Sequence, residues 1–218
     1  MEHTVLSRQT TETGTEAWSS CTPRLLVYTP YAARRQKELI GWLRNDFPRN
    51  KNEQGGWLIG RYLRDASGKI VQAEVIELLE AKTDCRQPGY IEWNAMEEIR
   101  LQQEFFCLKE RLAVSDPVGA EELACIGWWH THPNELSVFF SSTDLETQRL
   151  KYYKAEKYAV VLNPHKGVWR AFAGADAVEV PAIMLAEPPS SELQRDISRH
   201  KAKTAKHKNQ KEKRRKRK

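Results

Sequence analysis

The apolar residues of this 218-residue chain occur only in short runs, and this pattern limits what the chain can fold into. The longest runs are five residues, at 158–162 and 182–186. A bilayer-spanning helix needs about 20 mostly apolar residues, so the sequence predicts no transmembrane segment and no membrane partner. Because 40% of the residues are hydrophobic, the chain can still build one ordinary core. We therefore expect a layered domain of short strands and helices.

Hydrophobic periodicity and the positions of proline and glycine predict both kinds of element. The predicted strands are 24–28, 57–63, 70–79, 123–130, 158–163 and 168–172. The predicted helices are 31–47, 92–113 and 142–153. We expect a hairpin at the turn residues 65–68, and we expect the second helix to pack its apolar side chains into the core. This order of elements predicts an α+β or layered α/β fold in a single domain.

Positive charge is concentrated at one end of the chain. The whole chain carries a net charge of +6, whereas residues 199–218 alone carry +11 and residues 1–198 carry −5. A nucleic-acid-binding fold would spread its positive charge over a folded face. We expect a disordered leader over 1–21, a folded domain over 22–188 and a basic, disordered tail over 189–218. The charged part of the tail is either a solvated segment or an element that binds nucleic acid or an acidic partner.

The four cysteines form no C-x-x-C pair, which excludes a zinc knuckle and argues against a disulfide framework. We expect them to be reduced and mostly packed. The first twenty residues lack the hydrophobic stretch of a secretory signal. These features predict a cytoplasmic protein, or a nuclear one in a eukaryotic host.

Two histidines separated by one residue, His130 and His132, close a predicted buried strand. Side chains two positions apart on a strand project from one face, so both imidazoles can point at one metal ion. Asp144, at the predicted start of the next helix, offers a third ligand. Two histidines and a carboxylate leave a tetrahedral position open for water, as in catalytic zinc sites. The alternative is that the two histidines are ordinary hydrogen-bonded core residues.

Glu53 is the best candidate for a general base beside such a metal. A carboxylate that is not itself a ligand commonly accepts the proton of the attacking water. Glu53 stands just before Gly55 and Gly56, and glycine lets backbone pass close to a site. Because 77 residues separate Glu53 from His130, spacing alone does not bring the two together.

These residues together resemble the JAMM motif of the JAB/MPN-domain metalloproteases, and the resemblance in element order covers about residues 22–175. The residues that carry it are Glu53-x-Gly55-Gly56-x-Leu58-x-Gly60, His130-x-His132-Pro133 and Ser141-x-x-Asp144. It implies a central mixed sheet flanked by helices. It also implies a protease that cleaves after the C-terminal glycine of a ubiquitin-like protein, in deconjugation or precursor maturation.

The resemblance further implies the role of each residue. Zn²⁺ would be bound by His130, His132 and Asp144, with Glu53 as the general base and Ser141 stabilising the tetrahedral intermediate. The partner would be a ubiquitin-like protein or its conjugates, and the compact domain is similar to bacterial members, some of which accompany ubiquitin-like or antiviral operons. We expect selectivity to lie around residues 80–120, where the tail of the substrate could add as a strand.

One interval departs from the usual motif. The loop between His132 and Ser141 has eight residues, 133–140, which is one more than is usual in the family. This leaves open whether Ser141 or Ser142 donates to the oxyanion. Ser141-x-x-Asp144 also predicts a capping box, which is compatible with a metal ligand at the same aspartate.

Two other functions stay open at this stage. One is a catalytically silent scaffold or binding module, against which the complete set of ligand residues argues. The other is a nucleic-acid-binding protein that acts through its basic tail. We also expect Trp57, Trp93, Trp128 and Trp129 to pack in the core and around the site, with the alternative that one lines a substrate groove. His165 is expected to serve the turn at 164–167, not the metal.

Overall fold

The computed structural model of the protein describes residues 25–186. The predicted leader, the predicted tail from residue 189 onward and the outermost residues of the predicted domain lie outside this range. Within it, strands and helices form a mixed sheet flanked by helices, which confirms the predicted fold class. None of the helices between residues 25 and 186 combines the length and apolar composition that a membrane span requires.

The described residues contain ten strands and four helices. The strands are β1 (Leu25–Tyr28), β2 (Gly55–Arg64), β3 (Ile70–Glu80), β4 (Arg86–Gln87), β5 (Tyr90–Ile91), β6 (Ala124–Thr131), β7 (Tyr158–Asn163), β8 (Val168–Ala173), β9 (Val178–Val180) and β10 (Ala182–Met184). The helices are α1 (Pro30–Ile40), α2 (Ala95–Ala113), α3 (Pro117–Glu122) and α4 (Ser142–Lys151), with a 3-10 turn at Pro48–Lys51.

Eight strands form one sheet in the order β10-β1-β3-β2-β6-β7-β8-β9, and β4 pairs with β5 in a separate ribbon. The pairs β1–β10, β1–β3 and β6–β7 are parallel, and the others are antiparallel. The two edge strands, β9 and β10, follow each other in the chain with only Pro181 between them. The N–H of Leu26 donates to the Pro181 carbonyl at 3.0 Å. The sheet must therefore curl until its two edges nearly meet.

Side chains alternate across the sheet and build a core on each face. Trp129 is fully buried on one face together with residues of α1, such as Ile40. Its neighbour Trp128 points to the other face and packs with Leu101 of α2. The candidate ligands lie at the edge of this second core, because His130 projects from the same face as Trp128.

The predicted hairpin is present between β2 and β3. Its turn is held by Asp65, whose carboxylate accepts the N–H groups of Ser67 at 2.9 Å and Lys69 at 3.1 Å. Gly68 takes the left-handed backbone, with φ +83°, which only glycine adopts without strain. The turn chemistry therefore sets the register of the two longest strands.

The first helix is shorter than predicted and ends at Ile40 instead of continuing to residue 47. Gly41 adopts a left-handed conformation with φ +63°, and the N–H of Trp42 donates back to the Lys37 carbonyl at 2.9 Å. This closure ends a helix irrespective of the apolar residues that follow. Trp42 and Leu43, which suggested further helix, lie beyond it.

The prediction that α2 packs its apolar side chains into the core holds for Leu101, which is fully buried, and is wrong for three others. Met96, Ile99 and Phe106 are 71%, 47% and 53% exposed, and only Glu97 and Leu101 of this helix are buried. The helix contacts the sheet mainly at β3, since the Arg100 guanidinium donates to the Glu80 carbonyl at 2.7 Å. Three-residue spacing predicted the helix correctly, but not how much of it the sheet would cover.

Several short elements carry no periodic signal in the sequence. These are β4, β5, α3, β9 and β10, of two to six residues each.

The cysteine prediction also needs correction, because Cys85 and Cys107 are exposed and only Cys125 is partly buried. These three cysteines are free thiols, as expected, and Cys21 lies outside the described residues.

Candidate metal centre

His130 and His132 lie at the end of β6, where the strand runs beside β7. β6 ends at Thr131, and the N–H of His132 continues the pairing by donating to the Leu162 carbonyl at 2.8 Å. Both imidazoles point to one place, with their Nε2 atoms 3.2 Å apart. The Nδ1 of His132 donates to the Ser137 carbonyl at 2.6 Å, which leaves Nε2 free as a ligand atom.

Asp144 reaches the same place from the first turn of α4. Ser141 caps this helix: its Oγ accepts the N–H of Asp144 at 3.1 Å, and the Asp144 Oδ2 accepts the N–H of Ser141 at 2.8 Å. The predicted capping box is therefore present. The other carboxylate oxygen, Oδ1, lies 3.2 Å from His130 Nε2. One carboxylate thus closes the helix start and faces the imidazoles.

The three side chains fit a tetrahedral zinc site. With metal–ligand bonds of about 2.0 Å, two ligand atoms of a tetrahedron lie roughly 3.3 Å apart. Here His130 Nε2 lies 3.2 Å from both His132 Nε2 and Asp144 Oδ1. Within residues 25–186, these three residues are the one group of His, Cys, Asp and Glu side chains close enough to share an ion. All three are buried.

Glu53 lies beside this group without belonging to it. Its Oε1 is 3.9 Å from His132 Nε2, and the residue is only 5% exposed. The first residue of β2, Gly55, pairs with His130, and the backbone of Gln54 exchanges hydrogen bonds with Thr131. The 77-residue separation in sequence is therefore bridged by the pairing of β2 with β6.

The electrostatics favour a cation. Burial acts to raise the pKa of Asp144, but the charge of His130 and hydrogen bonds from His130, His132 and Ser141 hold it well below its usual range. Burial raises the pKa of Glu53 to about 8, with the charge of His132 opposing and that of Asp144 adding to the increase. The site thus holds one firmly ionised ligand and one carboxyl group whose proton is readily exchanged near neutral pH.

The pKa of His132 is also raised. Burial acts to lower it, but hydrogen bonds to Asp144 and to the Ser137 carbonyl, with the charge of Glu53, outweigh the burial. A proton on this imidazole therefore competes with any metal ion for Nε2. Metal binding at this centre should weaken as the pH falls.

A cavity of about 350 Å³ opens onto the centre. Near the centre it is lined by Glu53, His132, Ser141 and Asp144. Its other walls are formed by Gly89, Tyr90, Ile91, Glu92, Trp93, Trp128, Leu136, Phe139, Thr143, Thr147 and Lys151. The structure thus brings all five predicted site residues to one cavity or its edge. Ser141 lines it and Ser142 is not among its lining residues.

Sequence reasoning missed Gln148, a fully buried residue one turn after Asp144. Its Oε1 accepts the indole N–H of Trp128 at 2.7 Å. The Trp128 ring stacks on the His130 ring, with 4.6 Å between the ring centroids. A polar side chain on the core-facing side of a predicted helix was the available signal. His165 accepts the N–H of Asn134 at 2.8 Å, so it serves the loops, as predicted, and not the metal group.

Comparison with known families agrees with this geometry. Residues 33–173 match the family model described as prokaryotic homologs of the JAB domain. The chain belongs to this family. The JAB domain includes the JAMM metalloproteases, so the buried His130, His132 and Asp144 group of this JAB homolog stands as a candidate metal site of that type. A comparison with curated proteins returned no match.

Proposed function

We propose that this JAB-family protein is a zinc-dependent peptidase or isopeptidase that hydrolyses the bond after the C-terminal glycine of a ubiquitin-like protein. The observation that carries the proposal is the convergence of three possible ligand side chains. His130 Nε2 lies 3.2 Å from both His132 Nε2 and Asp144 Oδ1, His132 Nε2 lies 3.7 Å from Asp144 Oδ2, and Glu53 Oε1 lies 3.9 Å from His132 Nε2. A bound zinc ion supplies Lewis acidity, lowering the pKa of water and polarising a carbonyl.

Each catalytic side chain has a task that its position supports. Glu53 would take the proton of the attacking water and pass it to the leaving amine, because it lies 3.9 Å from a ligand atom without being a ligand, and the positive charge of a bound zinc ion would lower its pKa and keep it ionised. Ser141 uses its Oγ as acceptor for the Asp144 N–H, so its hydroxyl hydrogen remains available for a developing oxyanion. Its place in the cavity wall favours Ser141 over Ser142 for this role.

An extended substrate tail fits the outer part of the cavity. Among the described residues β5 pairs only with β4, and its two residues, Tyr90 and Ile91, line the cavity. The free edge of such a strand can bind an extended peptide by main-chain hydrogen bonds. The β5 edge therefore supports the proposal that the substrate tail adds as a strand at residues 90–91, inside the 80–120 interval expected from the sequence.

A silent scaffold is the less favoured alternative. Loss of function in such a domain would be expected to remove a ligand, the base or access to the site. Here the three ligands, Glu53 and an open cavity are all present. Cytoplasmic location and a role in a ubiquitin-like or antiviral operon remain predictions from the sequence.

The decisive experiment combines metal analysis with a cleavage assay. The probes are ubiquitin-like proteins ending in Gly-Gly, joined to a reporter by a peptide bond or through a lysine side chain. We expect about one zinc ion per chain in the wild-type protein. Glu53→Gln should retain zinc and lose about 10²–10⁴-fold in cleavage rate, because a general base is removed without disturbing the ligands.

Two further variants complete this test. His130→Ala should lose zinc and cleavage together. Glu179→Gln, which removes an exposed carboxylate of β9, should change neither. Wild-type protein without zinc would contradict the proposed function, and full activity in Glu53→Gln would contradict the role of Glu53.

A further inference from the structure

Asn163, the last residue of β7, is completely buried and uses every polar atom of its amide. Its Nδ2 donates to the carbonyls of Asn134 at 2.9 Å and Leu136 at 2.7 Å. Its Oδ1 accepts the N–H groups of His165 at 2.9 Å and Lys166 at 2.8 Å. One side chain thus joins the turn after β7 to the loop that follows His132.

That loop, residues 133–140, separates the ligands His132 and Asp144 and contains no helix or strand. The two carbonyls held by Asn163 belong to residues three and one positions before Ser137, whose own carbonyl accepts the Nδ1–H of His132 at 2.6 Å. Asn134 is also held by His165 Nδ1, which accepts its N–H at 2.8 Å, and by the Lys51 carbonyl, which accepts its Nδ2 at 3.3 Å. The contact of Asn163 with the Leu136 carbonyl is the one next to Ser137 in the chain, so it bears most directly on where the Ser137 carbonyl lies.

We propose that Asn163 is a positioning residue for the metal centre. By holding residues 134–136, its amide places the Ser137 carbonyl so that His132 keeps its proton on Nδ1 and presents Nε2 to the metal. The inference rests on the proposed zinc site, and it concerns how a residue outside the ligand set controls that site. Partners of this kind, which fix the orientation of a histidine ligand, commonly change metal affinity by about 10–100-fold.

The alternative is a purely structural role, in which Asn163 only stabilises the turn at 164–167. That role needs the acceptor oxygen alone, because the turn contributes N–H donors. The loop contributes carbonyls and therefore needs the two N–H donors of the amide. Asn163→Asp keeps the size and the acceptor and removes both donors, so it separates the two roles.

The first measurement is the zinc dissociation constant of the full chain, by competition with a chromophoric chelator. We expect Asn163→Asp to bind zinc about 10–100-fold more weakly than wild type. Asn163→Ser, which introduces no buried charge and retains a hydroxyl acceptor for the turn, should show a loss in the same direction. If Asn163→Asp does not fold, the zinc dissociation constant of Asn163→Ser tests the inference in its place.

The matched control is Asn50→Asp. Asn50 is also fully buried, and its Nδ2 donates to two carbonyls, those of Gly41 at 3.4 Å and Arg44 at 2.7 Å. Its removal costs donors of the same type at the carbonyls of Gly41 and Arg44, and neither of these residues contacts His132 or Ser137. The same segment contacts the 164–167 turn, where the Leu43 N–H donates to the Pro164 carbonyl at 2.7 Å, so this control also shows whether disturbing that turn alone changes zinc binding. The control should lose stability and keep its zinc affinity.

The second measurement is nitrogen-15 NMR of the His132 imidazole in metal-free protein. Wild type should show a hydrogen-bonded proton on Nδ1, and the Asn163 variants should lose this signature. Zinc affinity within threefold of wild type together with an unchanged His132 signature would overturn the inference. A wild-type protein that binds no zinc would instead contradict the proposed function, and the NMR measurement would still decide the role of Asn163.

Discussion

Glu53 is an acidic side chain that is almost completely buried. It is 5% exposed, and burial raises its pKa to about 8, whereas an unfolded glutamate titrates near 4.3. A carboxyl group held neutral in this way is poised to exchange a proton near neutral pH. The burial of Glu53 lowers the stability of the protein when the carboxyl group ionises, because ionising it inside the fold is unfavourable.

The pH dependence of stability in the metal-free protein tests this burial. The folded-state pKa lies above the unfolded one, so the contribution of Glu53 is fully present below about pH 4.3 and is lost as the pH rises through about 8. We expect the free energy of unfolding of wild type, relative to Glu53→Gln, to fall by at most ~1.4 kcal/mol per pH unit between pH 5 and 7.5. Urea titrations at several pH values measure it. Parallel profiles for the two proteins would show that Glu53 is not buried as described.

The strand β2 connects Glu53, the proposed general base, to the candidate ligands on β6, and its glycines allow neighbouring backbone to approach closely. At Gly56, an added Cβ would lie 1.9 Å from the Leu79 carbonyl oxygen of the neighbouring strand. Such a contact requires backbone movement in β2 or β3. Because β2 also pairs with β6 at His130, movement at Gly56 would displace Glu53 from the centre.

Gly56→Ala should therefore destabilise the protein by about 1–3 kcal/mol and lower its zinc-dependent activity. The matched control is Gly89→Ala, since no atom lies within 4 Å of the Cβ that it would add. Its stability should stay within about 0.5 kcal/mol of wild type. Thermal unfolding of both variants measures the difference. Equal melting temperatures for Gly56→Ala and wild type would contradict the close approach of β2 to β3.

At the scale of the whole molecule, the charge of the chain is divided between two parts. Residues 199–218 carry +11 and the preceding residues carry −5. We propose that any nucleic acid or acidic protein is bound by residues 199–218, the charged part of the tail. The candidate metal centre at His130 acts independently of these residues. The tail contains no aromatic residue, so base stacking does not contribute to such binding.

Comparison of the full chain with a 1–198 variant tests this division. The full chain should bind double-stranded DNA at low salt, with an affinity that falls steeply as salt rises because counterions are released. The shortened variant should lose this binding and keep its zinc content and cleavage activity. A full-length variant with glutamine in place of the basic residues of 199–218 controls for chain length. DNA binding that persists in the shortened variant would place the interaction on the folded domain.

The sequence by itself determined the fold class, most strands and the identity of the three candidate ligands. Strands and capping boxes are local: His130 and His132 share a strand face, and Ser141 with Asp144 closes a helix start, whatever the rest of the chain does. Such short-range rules fix which atoms can act together within one element. They also explain why the turn at 65–68 was predicted correctly.

Only the tertiary structure decided how those elements meet. The pairing of β2 with β6 places Glu53 beside His132, and the curl of the sheet brings the short strands β9 and β10 to its two edges. Gln148 contacts Trp128, 20 positions away, and Asn163 contacts Leu136, 27 positions away, and local periodicity carries no information about such pairs. The exposure of apolar residues on α2 has the same cause. The part of the helix that the sheet covers decides which of its residues are buried, and the spacing of apolar residues along the helix does not show this.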